Sequence, residues 1–292
     1  MYLFRRNLDE YVSLYPLILL SLYINKSIMI GAIIGDIVGS RFESNNIHTK
    51  DFELFTKECS FTDDTICTVA IADAIFNKSS YKDSLIKWCL KYPNPKGSYG
   101  LSFERWFKGN DHKPYNSYGN GAAMRVSQIG YYFNSLNDVL EEAKKSAECT
   151  HNHVEGIKGA QSIAASIYLL RQGNSKDDIK SYIESFFGYD LSHSVEYYRK
   201  NSKFDESCQA TVPQSIVCFL ESNVFEDAIR NAISIGGDSD TIACITGSLA
   251  EAFYGVPDSI FDRAYTYLDN DIKKVVKKSM RIKFLNRVIE KY

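Results

Sequence analysis

Hydrophobic side chains recur at helical spacing along most of this 292-residue chain, and no segment shows the sustained alternation of a β-strand. This spacing predicts helices over residues 31–41, 65–76, 82–92, 101–107, 137–149, 154–171, 175–187, 213–221, 224–233, 239–253, 258–267 and 270–290. Residues 188–210 are aromatic but have no regular period, so we expect them to be irregular. Because no Pro/Gly/Ser-rich linker interrupts residues 29–292, the pattern predicts a compact all-α, multi-helix bundle in one domain.

The first 28 residues resemble a secretory signal only in part. Two arginines precede an apolar stretch from Tyr11 to Ile24, but that stretch contains Pro16, is short for a membrane span and lacks a small-residue cleavage site. Met29 offers an alternative start of translation. We therefore expect residues 1–28 to lie outside the native fold, and the functional domain to occupy residues 29–292.

Charge and cysteine usage exclude several classes of function. A net charge of −2, from 34 basic and 36 acidic residues, gives no basic surface for nucleic acid or for a membrane. The seven cysteines are odd in number and show no Cys-x-x-Cys spacing, which argues against a disulfide framework or a zinc site. Unpaired cysteines suit a reducing compartment, so a cytoplasmic location is expected.

Three glycines share one face of the first predicted helix, at Gly31, Gly35 and Gly39. Each glycine costs about 1 kcal/mol in a helix relative to alanine, so three in register indicate that another helix or a ligand approaches closely. The spacing is not a dinucleotide-binding fingerprint, because that motif needs Gly-x-Gly-x-x-Gly after a strand.

Two short acidic turns each begin a small apolar helix: Thr62-Asp63-Asp64-Thr65 and Asp238-Ser239-Asp240-Thr241. Taken singly, each is most simply a helix N-cap, because Thr and Asp accept hydrogen bonds from free N–H groups. Their repetition favours a second interpretation, as does Gly236-Gly237, which permits backbone conformations that a Cβ would forbid. Four acids without an adjacent Lys or Arg are costly to bury unless cations neutralise them, and oxygen ligands suit Mg²⁺, Mn²⁺ or Ca²⁺.

Two further acids lie near the glycine-rich helix. Glu43 follows it and either completes a set of metal ligands or is a solvated residue at a helix end; the residues alone leave both interpretations open. Asp36 lies within the helix among apolar neighbours, where a carboxylate more often binds a backbone or arginine group than a metal. We therefore place Asp36 behind the ligands.

A polar loop, Ser117-Tyr118-Gly119-Asn120-Gly121, leads into Ala122–Val126 and presents backbone N–H groups at a predicted helix start. Such a start suits a phosphate group, although Gly-Asn-Gly is also an everyday turn. Arg125 could bind an anion or pair with a buried acid, and we favour the structural role. His151, beside Thr150, is either a satisfied polar residue or a group that orients phosphate or ribose.

Taken in order, these motifs resemble the ADP-ribosylglycohydrolase family, which includes dinitrogenase-reductase-activating glycohydrolase, ADP-ribosylarginine and ADP-ribosylserine hydrolases and the J1 crystallins. The motifs are Gly31-x3-Gly35-Asp36-x2-Gly39-x3-Glu43, Thr62-Asp63-Asp64-Thr65, Gly119-Asn120-Gly121-x2-Met124-Arg125, Thr150-His151 and Gly236-Gly237-Asp238-x-Asp240-Thr241. The resemblance covers residues 29–256.

Two positions depart from the family's pattern. Gln128 stands where many members have Pro, which leaves the shape of that loop open, and Glu251 stands where some members have Gly, a change expected to affect packing only. The stretch from Ser207 to Pro213 resembles a bacterial subgroup and is expected to line the pocket.

The resemblance implies an all-α fold with two Mg²⁺ or Mn²⁺ ions. The expected metal ligands are Thr62, Asp63, Asp64, Asp238, Asp240 and Thr241. The expected catalytic residues are Glu43, Asp63, Asp64 and Asp240, and the sequence does not assign the general base among them. The expected substrate-binding residues are Ser117, Tyr118, Gly119, Asn120, Gly121, Met124 and His151.

We accordingly expect a metal-dependent, monomeric hydrolase that cleaves the glycosidic bond between ADP-ribose and an acceptor. Its substrate would be an ADP-ribosylated protein or a small ADP-ribose conjugate, with neither nucleic acid nor membrane as a partner. Two alternatives stay open: a non-catalytic ADP-ribose-binding or crystallin-like structural protein on the same scaffold, and a metal-dependent nucleotide phosphohydrolase. Retention of all four acids favours the enzyme, and release of intact ADP-ribose would exclude the phosphohydrolase.

Overall fold

The computed structural model describes residues 29–289, so the expectation for residues 1–28 lies outside the described part of the chain. These residues form a bundle of helices around one hydrophobic core. In chain order the helices are α1 (Ile30–Gly39), α2 (Asp63–Asn77), α3 (Tyr81–Lys91), α4 (Leu101–Lys108), α5 (Gly121–Met124), α6 (Ser127–Tyr132), α7 (Leu136–Glu148), α8 (Val154–Arg171), α9 (Lys176–Tyr182), continued by a π-helix (Ile183–Phe187), α10 (Val195–Asn201), α11 (Cys208–Leu220), α12 (Phe225–Ser234), α13 (Ser239–Tyr254), α14 (Asp258–Tyr265) and α15 (Asn270–Ile289).

The all-α prediction is confirmed: from residue 29 to residue 289 there is no β-strand, only isolated bridges. Two short helices, α6 and α10, were not predicted. The last of them lies within residues 188–210, so the prediction of an irregular segment is wrong there. The sequence of α10 shows no clear apolar period, and the helix instead begins at a local cap, where Ser194 accepts the N–H of Tyr197 at 3.1 Å.

Helix α11 begins at Cys208 rather than at the predicted residue 213. The prediction took Pro213 as a helix start, but the proline lies inside the helix. Ser207 caps the helix by accepting the N–H of Ala210 at 3.3 Å, and the N–H of Cys208 donates to the carbonyl of Tyr118 at 2.9 Å. These bonds stabilise the first turn, although Pro213 removes one hydrogen bond from the next.

The glycine face of α1 packs directly on α13. A Cβ built at Gly31 would lie 2.2 Å from the carbonyl oxygen of Gly247, and one at Gly35 would lie 1.9 Å from that of Ala243. A Cβ at Gly39 would lie 2.4 Å from a backbone Cα in the first turn of α13. The prediction of a close approach is confirmed, and its partner is a helix. We call this contact the α1–α13 seam.

Both departures from the family's pattern have structural roles. The Oε2 atom of Glu251, in α13, accepts the N–H of Gly31 at 2.7 Å, so its carboxylate satisfies a free donor at the start of α1. The expectation that Glu251 affects packing only is therefore wrong. Gln128 is fully buried in α6, where its Oε1 accepts a hydrogen bond from the hydroxyl of Ser279 at 3.0 Å.

Two composition-based expectations can be compared with the fold. None of the seven cysteines takes part in a disulfide, and all except Cys149 are buried as small apolar side chains. Among the helices within residues 29–289, none combines the length and apolar character needed to cross a bilayer.

We expect Gly35→Ala to destabilise the protein by about 3 kcal/mol, because overpacking at a backbone contact forces α1 away from α13. Urea unfolding checks this. Gly100→Ala is the control: a Cβ there has no heavy atom within 4 Å and the backbone φ is −54°, so its midpoint should stay close to that of the wild type. Equal midpoints for the two variants would contradict the close packing.

Candidate active site

The first acidic turn is held by a carboxylate on α1. Asp36 is fully buried and accepts four hydrogen bonds, from the N–H (2.9 Å) and hydroxyl (2.7 Å) of Thr62 and from the N–H (3.1 Å) and hydroxyl of Thr65. Thr62 in turn caps α2 by accepting the N–H of Asp64 at 3.3 Å. Burial raises the pKa of Asp36 to about 6, although these hydrogen bonds favour its charged form. Asp36 therefore supports the turn from behind.

The second acidic turn depends on two glycines and an asparagine. Gly236 and Gly237 have φ angles of 73° and 75°, in the left-handed region, so they use the backbone freedom that the sequence analysis noted for them. The side-chain amide of Asn46 donates to the carbonyl of Gly237 at 2.9 Å, and its Oδ1 accepts the N–H of the same residue at 2.9 Å. This pair of bonds fixes the turn just before Asp238, the N-cap of α13. The sequence did not single out Asn46.

The two acidic turns meet in the fold. The hydroxyl of Thr241 donates to Oδ1 of Asp64 at 3.2 Å across 177 residues of sequence. Carboxylate oxygens of Glu43, Asp238 and Asp240 lie within 4.8 Å of one another. The prediction that the two turns fold together thus agrees with the structure, and Glu43 joins them.

The carboxyl groups of this acidic cluster (Glu43, Asp63, Asp64, Asp238 and Asp240) are crowded and largely removed from water. Burial, and then the neighbouring carboxylates, raise the pKa of Asp63, Asp64 and Asp240 well above the usual range for aspartate. Burial also raises the pKa of Asp238, and it raises the pKa of Glu43 together with the charges of nearby acids. Charging all of these groups is costly unless a cation lies among them.

The donor set of the acidic cluster fits a hard divalent cation. The Oδ2 atom of Asp64 is buried and has no hydrogen-bond partner. None of the salt bridges formed within the described residues involves a member of the cluster. Oxygen donors without a histidine or cysteine are the ligands that Mg²⁺, Mn²⁺ and Ca²⁺ prefer, whereas zinc prefers nitrogen and sulfur.

The members of the acidic cluster other than Asp64 form one wall of a cleft of about 570 Å³. Most of the predicted site residues line this cleft: Glu43, Asp63, Ser117, Gly119, Asn120, Gly121, Met124, His151, Asp238, Asp240 and Thr241. Three do not. Thr62 and Asp64 are buried behind the acidic wall, and Tyr118 lines an adjoining cavity of about 390 Å³.

The loop Ser117–Gly121 joins the acidic cluster to the far wall of the cleft. Its Asn120 side chain donates to Oδ2 of Asp238 at 2.7 Å and to the hydroxyl of Thr211 at 3.0 Å. On the other side, a Cβ built at Gly121 would lie 3.2 Å from Nε2 of His151. The absence of side chains at the two loop glycines keeps the backbone close to the imidazole.

The helix after this loop is much shorter than the sequence suggested. Helix α5 has four residues, so it supplies little of the helix dipole that was expected to face a phosphate, and that part of the prediction is wrong. The cause lies at Met124, whose carbonyl accepts side-chain hydrogen bonds from Thr68 (3.3 Å) and Cys244 (3.5 Å). Within the loop, the N–H of Gly119 already donates to the hydroxyl of Ser117 at 3.1 Å and that of Asn120 to the carbonyl of Glu206 at 2.6 Å, so an anion would have to use the other N–H groups.

Arg125 lies on the cleft floor and pairs with no carboxylate among the described residues. Its Nη2 donates to the carbonyl of Ser146 at 3.0 Å and to the hydroxyl of Thr150 at 2.8 Å. Arg125 therefore has the structural role that the sequence favoured, but its partners are a carbonyl and a hydroxyl. The prediction that it pairs with a buried acid is wrong.

Several cleft residues escaped the sequence analysis. The segment from Ser98 to Phe103 forms part of the lining, as do Tyr115 and Glu206. The carbonyl of Glu206 accepts the N–H of Asn120 at 2.6 Å, so residues 202–207 contact the Ser117–Gly121 loop directly. Ser207, from the stretch expected to line the pocket, lines the adjoining cavity instead. No local pattern marks these residues, because only the fold brings their loops together.

Comparison with known proteins identifies this architecture. The family described as ADP-ribosylglycohydrolase matches residues 26–283. The chain belongs to the ADP-ribosylglycohydrolase family. The resemblance carried by the five ordered motifs is thereby confirmed.

A solved structure shares the fold of this chain, and two relatives are named as ADP-ribosylhydrolases. A solved structure described as an ADP-ribosylglycohydrolase-related protein complex superposes with a TM-score of 0.67 at 18% identity, covering 89% of this chain and 96% of that one. ADP-ribosylhydrolase ARH3 from Homo sapiens is 26% identical over 325 residues, covering 83% of this chain and 89% of its own length. ADP-ribosylarginine hydrolase Tri1 from Pseudomonas putida is 26% identical over 268 residues, covering 79% and 70%.

We expect Asn46→Ala to loosen the second acidic turn of this ADP-ribosylglycohydrolase. Losing the bonds to Gly237 should lower the free energy of unfolding by about 1 kcal/mol and speed hydrogen exchange at the Gly237 amide. Amide exchange followed by NMR measures the local effect. Asn201→Ala is the control, because that side chain only donates to the carbonyl of Tyr197 at the end of α10. Unchanged Gly237 exchange in Asn46→Ala would contradict the role given to Asn46.

Proposed function

We propose that this protein hydrolyses the glycosidic bond between the anomeric carbon of ADP-ribose and an acceptor, and so releases ADP-ribose. The observation that carries the proposal is the meeting of both acidic turns in one cleft that also contains most of the Ser117–Gly121 loop. An anion-holding loop beside a set of hard oxygen donors suits a substrate that combines a diphosphate with ribose hydroxyls. The hydrolase relatives support the same reaction class.

We propose that two Mg²⁺ or Mn²⁺ ions bind at the acidic turns. The proposed ligands are Thr62, Asp63, Asp64, Asp238, Asp240 and Thr241. The partnerless Oδ2 of Asp64 and the close approach of Glu43 to Asp238 and Asp240 support this assignment. When bound, the cations would supply Lewis acidity beside the scissile bond.

Among the acids that line the cleft, Glu43 is suited to move a proton. It is only half-buried, and burial and the charges of Asp238 and Asp36 raise its pKa. A carboxyl group with a raised pKa can hold a proton nearer to neutral pH and pass it to a leaving group. In the overall reaction, the oxygen of water bonds to the anomeric carbon, the bond to the acceptor breaks, and the acceptor gains a proton. Glu43 or Asp63 would transfer that proton.

The remaining cleft residues would orient the conjugate. The Ser117–Gly121 loop is proposed to bind its phosphates through the N–H groups other than those of Gly119 and Asn120, which donate within the protein. His151 is proposed to contact phosphate or ribose. We propose an ADP-ribosylated protein or a small ADP-ribose conjugate as the substrate, and a monomer acting in the cytoplasm. An arginine linkage is the first to test, because one relative is named an ADP-ribosylarginine hydrolase.

We expect the purified protein, with added Mg²⁺ or Mn²⁺, to release intact ADP-ribose from ADP-ribosylated peptides. A panel of arginine- and serine-linked peptides, with products separated by chromatography, identifies both the acceptor and the bond that is cut. AMP or phosphate as the product would instead indicate a phosphohydrolase. Tight binding of ADP-ribose without turnover on any linkage would indicate a binding protein.

In the same assay, Asp240→Ala should lower turnover by at least about a hundredfold, on the scale of a lost electrostatic contact to the reacting groups. Asp177→Ala, which removes an exposed acid at the start of α9, is the matched control and should act like the wild type. Unchanged turnover in Asp240→Ala would overturn the proposed metal-dependent site.

A second prediction concerns cation binding without catalysis. In a chelator, Asp64→Asn should be as thermostable as the wild type or more so, because the amide removes a crowded charge and still accepts from Thr241. With Mg²⁺ at about a hundred times its dissociation constant, the wild type should gain about 2.7 kcal/mol and the variant much less.

Thermal unfolding with and without Mg²⁺ measures this difference. Asp73→Asn is the control on the same helix, since Asp73 binds Lys87 and Trp88 (both at 2.9 Å) and lies outside the acidic cluster. Its gain with Mg²⁺ should match that of the wild type. Equal gains for Asp64→Asn and the wild type would show that Asp64 takes no part in cation binding.

A further inference from the structure

Three side chains at the cleft floor form a chain of hydrogen bonds. The Nη2 atom of Arg125 lies 2.8 Å from the hydroxyl oxygen of Thr150, and that oxygen lies 2.7 Å from Nδ1 of His151. Arg125, Thr150 and His151 are 1%, 0% and 5% exposed. Because water has almost no access to the Thr150 hydroxyl, its proton needs an acceptor within the protein.

The direction of this chain follows from the chemistry of its first member. A guanidinium group has only donors, so the bond between Arg125 and Thr150 uses a lone pair of the hydroxyl oxygen. The hydroxyl proton of Thr150 must then go to another acceptor. The described side chains near it offer Nδ1 of His151, at 2.7 Å, and the sulfur of Cys149, which is a much weaker acceptor. If Nδ1 carried a proton, two donors would point at the hydroxyl, and its own buried proton would have only the weakly accepting sulfur of Cys149. Nδ1 of His151 is therefore the acceptor.

The other ring nitrogen of His151 faces the loop of the cleft. A Cβ built at Gly121 or at Gly119 would lie 3.2 Å or 3.5 Å from Nε2, and this atom has no hydrogen-bond partner among the described residues. Burial, together with the charge of Arg125, lowers the pKa of His151 well below its usual value and keeps the ring neutral. A neutral ring with an acceptor at Nδ1 carries its proton on Nε2.

We infer that Arg125 and Thr150 are positioning residues that fix His151 as the Nε2–H tautomer, so that the imidazole donates a hydrogen bond to a phosphate oxygen held at the Gly119–Gly121 loop. A phosphate oxygen bears lone pairs and no proton at neutral pH, and the nearby guanidinium charge favours an anion over a neutral hydroxyl. The identity of the phosphate as part of ADP-ribose rests on the proposed function. The direction of the hydrogen-bond chain does not.

The tautomer can be observed directly in the metal-free protein, without substrate. Protein labelled with ¹⁵N-histidine and studied at pH 7 by long-range ¹H–¹⁵N correlation reports which ring nitrogen carries the proton. The chain has five histidines, and the signals missing from His151→Gln identify the relevant ring. We expect a protonated Nε2 and an unprotonated Nδ1. A proton on Nδ1, or on both nitrogens, would overturn the inference.

A matched pair of variants tests Thr150. Thr150→Ser keeps the hydroxyl and should keep both the tautomer and the affinity for ADP-ribose. Thr150→Val has nearly the same shape but no hydroxyl, so it should give a mixture of tautomers and weaken ADP-ribose binding about tenfold, the scale of one lost hydrogen bond. An unchanged tautomer in Thr150→Val would contradict the positioning role.

Two controls keep the outcomes distinct. Thermal unfolding checks that each variant is folded. If Thr150→Val does not fold, the inference is tested by the tautomer of the wild type and by whether Thr150→Ser has the same tautomer. Calorimetry with ADP-ribose and Mg²⁺ tests the ligand. Failure of the wild type to bind ADP-ribose would overturn the proposed function, while the NMR result would still test the direction of the hydrogen-bond chain.

Discussion

The seam between α1 and α13 is the contact on which the cleft depends. Because glycine at positions 31, 35 and 39 lets the two helix backbones touch, the first turn of α13 lies beside the end of α1. Helix α1 also carries Asp36, whose carboxylate binds the start of α2. One helix thus sets the position of both acidic turns, one through backbone contact and the other through hydrogen bonds.

The acidic cluster places a second demand on the fold, since its charges repel one another in a site with little water. The protein meets this demand with neutral groups rather than with basic side chains. Thr241 donates to Asp64, and Asn120 donates to Asp238, so each carboxylate keeps a partner without losing its negative charge. This leaves the cluster able to attract a cation, whereas a lysine or arginine partner would have neutralised it.

The sequence predicted the features that have a regular pattern or a strong chemical cost. Helical periodicity located the long helices, the glycine stripe at Gly31, Gly35 and Gly39 indicated a close helix contact, and the repeated acidic turns indicated a common site. It did not predict α6 or α10, or that α5 ends after four residues, since these short helices depend on caps and tertiary hydrogen bonds rather than on an apolar period. Nor did it single out Asn46 or Glu206. Their partners are distant in sequence, so their roles arise only after the chain has folded.

The contact between Asn120 and Asp238 has a thermodynamic consequence. This single amide belongs to the loop at one side of the cleft and binds a carboxylate of the acidic cluster at the other. Anything that binds to the acidic cluster therefore alters the free energy of the loop. By thermodynamic linkage, anything that binds to the loop alters the free energy of binding at the cluster by the same amount. A cation bound at Asp238 would change the affinity of the loop for its ligand, and the ligand would change the affinity for the cation by the same factor. Metal and ligand would thus be bound as coupled events.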